Sequence, residues 1–487
     1  MVSNISRRSF VKLGVSAATS ISLGHLIGRE ARGTTLVHRT VDMVDHAAIH
    51  DFTAALQGQV IAPGDPLYDM ARRVWNTKYD RYPGIIARCA NATDITRAVE
   101  FARSENLLVA VRSGGHSGAG HSTCDGGLVI DLAEMTGMEV DKVNRIARVQ
   151  TGLLCAYIDA ISAPHGLAMV LAAYPTVGLG GFTLGGGEGL LQRKYGLACD
   201  NLISAEVVLA DGRLVTASAQ TNPDLYWGIR GGGGNFGVVT SMQCRLHPVK
   251  RLISGVLLYG IAQMPEVLRR YRDFELTAPD EVVSGMSFSN SSDGPVLVIF
   301  ADYVGDPGKA ESALAPLRAI GKPFEDTIGP RSYLEVQGSS VAVGGMPGLG
   351  RGGRMPVMTD ETIDLISTIA AEAPLDSAID LFYMGGAPSR VARSATAYPH
   401  RDADFDIIFM SRWPNATQKN AAIEWVLNAW EAVSPCCRGV YVNALENEGQ
   451  ERVKEAYMEN YSRLVKLKQK YDSDNFFRLN QNINPAA

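Results

Sequence analysis

The apolar positions of this chain change period along its length. From about Arg81 to Pro248, short apolar runs alternate with stretches of helical spacing. Apolar residues recur every three to four positions over 92–105, behind the capping residue Asn91, while 107–112 and 128–131 are compact apolar strands. From Leu252 onward the strands lengthen, at 252–259, 282–289, 295–303, 379–384 and 405–412, with helices predicted at 265–276 and 306–320. Long strands of this kind predict a largely antiparallel sheet backed by helices on one face. The segment 339–356 is too glycine-rich for a helix or a central strand and reads as a loop, either a lid over a site or a variable surface loop. No internal repeat or low-complexity stretch interrupts the pattern.

With 487 residues, 46% of them hydrophobic, the chain is long enough for two domains with sizeable cores. A net charge of -5 without long single-sign runs argues against a nucleic-acid partner, which would require a basic surface. The amino terminus reads Ser6-Arg7-Arg8-Ser9-Phe10-Val11-Lys12 before a weakly apolar run, 13–27, broken by serines, glycines and His25. An arginine pair before such a run predicts a twin-arginine export signal over residues 1–34. The alternative is a poor transmembrane helix, but the run falls short of the ~20 apolar residues a bilayer requires, so no stable membrane anchor is expected. The twin-arginine translocation machinery is then a partner, and the mature protein is expected in the periplasm or outside a bacterial cell. Seven cysteines are few for this length and have neither disulfide-scaffold nor zinc spacing; most are expected as buried thiols, with one or two disulfides possible after export.

Three glycine-rich segments carry the candidate chemistry. The first is the strand-to-turn stretch Val109-Ala110-Val111-Arg112-Ser113-Gly114-Gly115-His116-Ser117-Gly118-Ala119-Gly120, whose turn amides can face phosphate oxygens around a central histidine. The second is Tyr174-Pro175-Thr176-Val177-Gly178-Leu179-Gly180-Gly181, continuing to Gly185-Gly186-Gly187. The third is Gly231-Gly232-Gly233-Gly234-Asn235-Phe236-Gly237-Val238-Val239, which can equally be a tight crossover without ligand.

In this order, and with Tyr441-Val442-Asn443 and Asn475-Phe476-Phe477-Arg478-Leu479-Asn480-Gln481-Asn482-Ile483 near the carboxyl end, the segments resemble the FAD-linked oxidases of the berberine-bridge-enzyme-like group, within the vanillyl-alcohol-oxidase superfamily. The resemblance covers nearly everything after about residue 70. It implies an α+β architecture: a PCMH-type FAD-binding fold at 45–250, a substrate domain at 251–438, and a segment at 439–487 that returns to the first domain.

It also implies roles. His116 would bond covalently to the flavin, and Arg112, Ser113, Gly114, Gly115, Ser117 and Gly118 would surround the pyrophosphate. Thr176, Gly180, Gly181 and Gly186 would approach FAD from the other side, the main chain of Val239 would meet the adenosine end, and Asn480 and Asn482 belong to the closing motif. Many relatives carry a second tether, a cysteine, where this chain has Tyr174; a single bond through His116 is therefore expected. Val177 lies where relatives border a small oxygen pocket. Tyr441 and Asn443 are retained beside the flavin, but Ala444 replaces the tyrosine that often serves as substrate base, leaving Tyr398, His400 and Asp402 as alternative acceptors. The implied activity is hydride removal from a C–H bond next to oxygen or nitrogen of a small organic substrate, with molecular oxygen reduced to peroxide. A dehydrogenase using another acceptor, or a flavoprotein that mainly sequesters a small aromatic compound, are the alternatives. Relatives oxidise oligosaccharides, polyketides, alkaloids and phenols, so the substrate stays open.

Overall fold

A computed structural model describes residues 46–249, 251–339, 345–402 and 404–487. The proposed export signal lies outside the described residues.

A small sheet in the order Gln59–Ile61, Ile85–Arg88, Leu128–Asp131, Val109–Arg112 forms first, with parallel pairing among its last three strands. Leu128–Asp131 is buried at every position, as expected of a strand with both faces covered. The helix Ala92–Ser104 packs on this sheet through Ile95, Val99 and Ala102. Asn91 caps it by accepting from the Asp94 amide at 3.0 Å. The Asp94 carboxylate then accepts from the amides of Gln57, Gly58 and Ala90, which ties the preceding turns to the helix start. The strand expected from Leu107 begins at Val109, because the Leu107 amide is taken by the carbonyl of Ala102 in the closing helical turn.

A second, antiparallel sheet runs Met138–Asp141, Ile146–Gln150, Val238–Arg245, Leu202–Val208, Leu214–Ser218. Its core is shared with the carboxyl-terminal segment: Val442, Leu445, Val453, Leu464, Leu467 and Ile483 pack with Val149, Val207 and Met242, and Phe476 and Phe477 reach the core of the first sheet. Lys468, fully buried, pins this return by donating to Asp472 and to the carbonyls of Asn235 and Phe477.

The third sheet is antiparallel in the order Glu325–Asp326, Leu252–Gly260, Gly294–Tyr303, Val282–Ser291, Ser377–Tyr383, Phe405–Arg412, Gly348–Met355, with Gly329–Arg331 also on Leu252–Gly260. Phe405, Ile407 and Phe409 point to one side, where the helices Met264–Glu275, Ala310–Arg318, Asp360–Ala371 and Lys419–Val433 close the core. Residue alternation sends Asp406, Ile408, Met410 and Arg412 to the opposite side, with Asp380 and Phe382 on the neighbouring strand.

The glycine-rich segment expected as a loop is, at Gly348–Met355, an edge strand paired along its whole length with Phe405–Arg412. Its glycines answer to close neighbours rather than to flexibility. A Cβ on Gly352 would lie 2.3 Å from the Ile407 carbonyl oxygen, and one on Gly353 would lie 2.7 Å from the Trp430 ring. Residues 340–344 of that segment lie outside the described residues.

All seven cysteines are unpaired; five are buried and Cys436 and Cys437 are half-buried. No helix among the described residues is long and apolar enough to cross a membrane.

Candidate active site

Two glycine turns meet back to back above the first two sheets. The Ser113 hydroxyl donates to the Thr151 carbonyl at 2.5 Å and accepts from the Gly180 amide at 3.3 Å, so one side chain staples the first turn to the second. Thr151 in turn donates to the carbonyl of Val239 at 2.5 Å, which brings the third glycine-rich segment into the same assembly. A Cβ on Gly114 would stand 2.3 Å from the Gly178 amide nitrogen. Gly115, at φ +72°, occupies the left-handed region, and its carbonyl accepts from the Trp75 amide at 3.1 Å.

His116 projects from this turn. Its Nε2 lies 2.9 Å from the Thr176 hydroxyl, and its ring stacks on Trp75 with centroids 5.2 Å apart. Enclosure lowers its pKa to about 4, so the imidazole is neutral at physiological pH with a nitrogen lone pair available. Ser117 accepts from the His121 amide, and Gly118 faces Glu446 and Leu445. The Arg112 guanidinium, by contrast, is turned away from the turn: it is paired with Asp131 at 2.8 Å and buried, so its place is beneath the cradle rather than on a phosphate.

Across the cleft, Gly181 is exposed, and a Cβ added to it would meet nothing within 4 Å, which leaves open backbone where a ligand can approach. Gly186, at φ +126°, makes room for something else: a Cβ there would fall 2.5 Å from the Tyr398 ring. Gly231 does the same for the Tyr398 backbone, 2.2 Å from its amide nitrogen, so this part of the third glycine cluster is a packing crossover. Tyr174 is exposed at the cleft mouth, Val177 is half-buried beside it, and Asp380 and Arg412 of the third sheet act electrostatically on the Tyr174 phenol.

Three observations fit a large polar cofactor in this cleft. The paired glycine turns leave backbone bare, the neutral His116 faces it, and buried polar atoms stand without protein partners at Trp75 Nε1, Asn480 Oδ1 and Asn482 Oδ1. Asn480 is held through its Nδ2 by the carbonyls of Gly234 and Phe477, which fixes the direction of its free oxygen. Among the described residues no group of His, Cys, Asp and Glu could hold a metal ion.

Tyr441 and Asn443 lock the short helix Leu179–Leu184 to the turn that follows it. The Tyr441 Oη accepts from the amides of Gly187 at 3.1 Å and Glu188 at 3.3 Å and from Asn443 Nδ2 at 2.9 Å, and Asn443 also donates to the Gly181 and Phe182 carbonyls. Burial keeps the Tyr441 phenol protonated.

Beside them is a charged cluster of which the sequence pattern points only to Tyr398. Arg354, fully buried, donates through Nη2 to Glu188 Oε1 and to Tyr398 Oη at 2.8 Å, with Asp406 3.6 Å from its Nε. Tyr398 donates to Glu188 Oε1 at 2.7 Å, and its ring meets Tyr441 edge-on at 6.2 Å. Burial pushes the Asp406 carboxyl up, with Arg354 opposing and Glu188 and Asp380 adding repulsion. Arg354 and Asp406 face each other across one strand pair, so neither announces the other in sequence. The available signal was alternation, which places a lone carboxylate at 406 between the core residues Phe405 and Ile407.

The other two alternative acceptors are placed elsewhere. His400 is half-buried, bonds to the Ala456 carbonyl through Nε2 at 3.0 Å, and has its pKa lowered by desolvation to about 3. Asp402 is held by Arg393 and Arg438. A separate groove of about 530 Å³, lined by Lys194, Phe274, Tyr303 and Lys309 among others, contains none of these groups.

Comparison with known proteins gives a consistent picture. Residues 83–218 match a family model described as an FAD binding domain, and residues 440–484 match one described as berberine and berberine like. An uncharacterized FAD-linked oxidoreductase of Bacillus subtilis is 31% identical over 444 residues, covering 88% of this chain and 97% of that protein. The (R)-6-hydroxynicotine oxidase of Paenarthrobacter nicotinovorans is 30% identical, covering 89% of this chain and 98% of its own length. A crystal structure of 6-hydroxy-D-nicotine oxidase from Arthrobacter nicotinovorans superposes with a TM-score of 0.82 at 29% identity, over 88% of this chain and 98% of that one.

Proposed function

The chain belongs to the berberine-bridge-enzyme-like family of FAD-linked oxidoreductases, and from that premise we propose that it is an exported oxidase whose FAD is attached through His116 alone. The observation that carries this reading is the neutral His116 ring, wedged between Trp75 and Thr176 at the edge of the paired glycine turns. Tyr174 supplies no thiol, which leaves one tether. When bound, FAD accepts a hydride from substrate and returns the electrons to an acceptor, in this reading molecular oxygen with release of hydrogen peroxide.

The protein's own residues do the rest. Ser113, Gly114 and Gly180 shape the cradle; Tyr441 and Asn443 hold the helix Leu179–Leu184 and the turn after it; the face of the third sheet away from its helices, with Asp380, Phe382 and Arg412, serves as the opposing wall. A small organic molecule with a C–H bond next to oxygen or nitrogen is the substrate class. The nitrogen case draws on the activity named for the Paenarthrobacter relative. Residues 1–34 would deliver the folded, flavin-loaded protein through the twin-arginine machinery to the periplasm or medium, which suits a cofactor loaded before export.

The test is anaerobic bleaching of the oxidised flavin by (R)-6-hydroxynicotine, benzyl alcohol, cellobiose and a phenol, followed by admission of oxygen. One peroxide per product supports the oxidase. Bleaching without reoxidation would point to a dehydrogenase, and binding without bleaching to a sequestering flavoprotein.

A further inference from the structure

With Ala444 in place of the expected tyrosine, the site needs another proton acceptor, and the Glu188 cluster has the geometry of one. Glu188 is held by a single oxygen. Its Oε1 receives Tyr398 and Arg354, whereas Oε2 has no hydrogen-bond partner among the described residues and is not a buried atom. The three side chains differ in access: Arg354 and Tyr398 are each 1% exposed, while the Glu188 side chain is 12% exposed. The backbone of Glu188 is fixed as well, because its amide donates to Tyr441, which Asn443 ties to the Gly181 and Phe182 carbonyls of the helix Leu179–Leu184. Rivals lack this combination. Asp406 is buried behind Arg354, His400 and Asp402 are committed elsewhere, and Tyr441 Oη already accepts three donors.

We propose that Glu188 is the catalytic proton acceptor, that Tyr398 and Arg354 are positioning residues that orient it, and that the substrate is an alcohol or hemiacetal whose O–H meets Glu188 Oε2. This rests on the oxidoreductase reading above. In the step, the O–H bond breaks and its proton passes to Oε2; the electron pair left on oxygen forms the second C–O bond; the C–H bond breaks and its hydrogen leaves with two electrons as hydride to bound FAD. The product is a carbonyl compound or lactone, and Glu188 keeps the proton while the flavin stays reduced and gives it up on reoxidation. The acceptor in this step is the ionised carboxylate. The charged and hydroxyl groups around it are the Arg354 guanidinium, the Asp406 carboxyl beyond Arg354, and the hydroxyls of Tyr398 and Tyr441.

The experiment compares full-length, FAD-loaded wild type with Glu188→Gln in anaerobic stopped flow, using benzyl alcohol, cellobiose and (R)-6-hydroxynicotine as probes. Glu188→Gln should keep its flavin content and reduce flavin about 10²–10⁴-fold more slowly with the alcohol or hemiacetal, the range ordinary for removing a general base. The infrared difference spectrum of substrate-reduced minus oxidised wild type should show a protonated carboxyl band that is missing in the variant. Should Glu188→Gln fail to load FAD, Tyr398→Phe serves: with one donor to Oε1 removed, the protonated carboxyl band should move to higher frequency. Rates within threefold of wild type in Glu188→Gln, or an unmoved carboxyl band in Tyr398→Phe, would overturn the assignment. Bleaching of wild type by (R)-6-hydroxynicotine alone would overturn the substrate class while leaving the oxidoreductase reading intact. No bleaching of wild type by any probe would defeat that reading first, and this one with it.

Discussion

Gly114 and Gly178 face each other backbone to backbone: a Cβ on Gly178 would stand 2.1 Å from the Gly114 amide nitrogen, and one on Gly114 would stand 2.3 Å from that of Gly178. Gly178 has φ -81°, a conformation open to any residue, so contact rather than backbone strain demands glycine here. The obstructing atoms on Gly178 are the Gly114 main chain, which cannot swing aside, and the Ser113 hydroxyl, which is held by the Thr151 carbonyl. Gly178→Ala should therefore separate the two turns, costing about 1–3 kcal/mol as an overpacked site does and lowering FAD content in the purified protein. Thermal melting together with the flavin-to-protein absorbance ratio checks this; an unchanged ratio and melting temperature would show that the turns do not need to touch.

Val177 sits half-buried between Tyr174 and the paired turns, its carbonyl accepting from the Cys155 amide at 2.9 Å. That bond fixes the backbone, so a larger side chain can only extend into the space beside it. One added methylene is felt in a close-packed site. Val177→Ile should slow reoxidation of the reduced enzyme by oxygen at least tenfold, as read by stopped flow, while hydride uptake from substrate changes little. Equal reoxidation rates would exclude a gating role for this position.

Asp159, on the helix Cys155–Ser162, is buried against Gln337 of the helix Tyr333–Gln337, whose Nε2 lies 3.2 Å from Oδ2. Burial raises its pKa from 3.8 to about 7. A raised acid favours folding through its protonated form: that contribution is complete below the unfolded value near 3.8 and is lost as pH rises through about 7. Asp159→Asn removes the titration. Between pH 4 and pH 8, the wild-type melting temperature should fall relative to the variant's, and parallel curves would contradict the assignment.

Legibility in sequence followed the range of the determining contacts. The strands Val282–Ser291 and Phe405–Arg412 could be read because each displays its own alternation, and the helix Ala92–Ser104 because Asn91 and Asp94 mark its start. His116 was visible because its glycine turn is local. The strand Gly348–Met355 was not, since its glycines answer to Ile407 and Trp430, more than fifty residues away, and a glycine run by itself carries no period. Arg354, Asp406 and Glu188 were missed for the same reason: strand register and the closure of the second glycine turn bring them together, and no spacing encodes that. Arg112 was drawn into the cradle by its motif, although its guanidinium belongs to Asp131 one strand over.

The bond between His116 and FAD is the claim on which the proposed function turns. The free ring, with a pKa near 4, offers its lone pair above that value, so the bond should form independently of pH down to about there, and Thr176 should orient the nitrogen that does not bond. The decisive measurement is intact and peptide mass of acid-denatured protein, wild type against His116→Ala. The prediction is one FAD per wild-type chain, carried only by the peptide containing His116, and none on the variant. Flavin released in full from the wild type by acid, or found on a cysteine peptide, would contradict it.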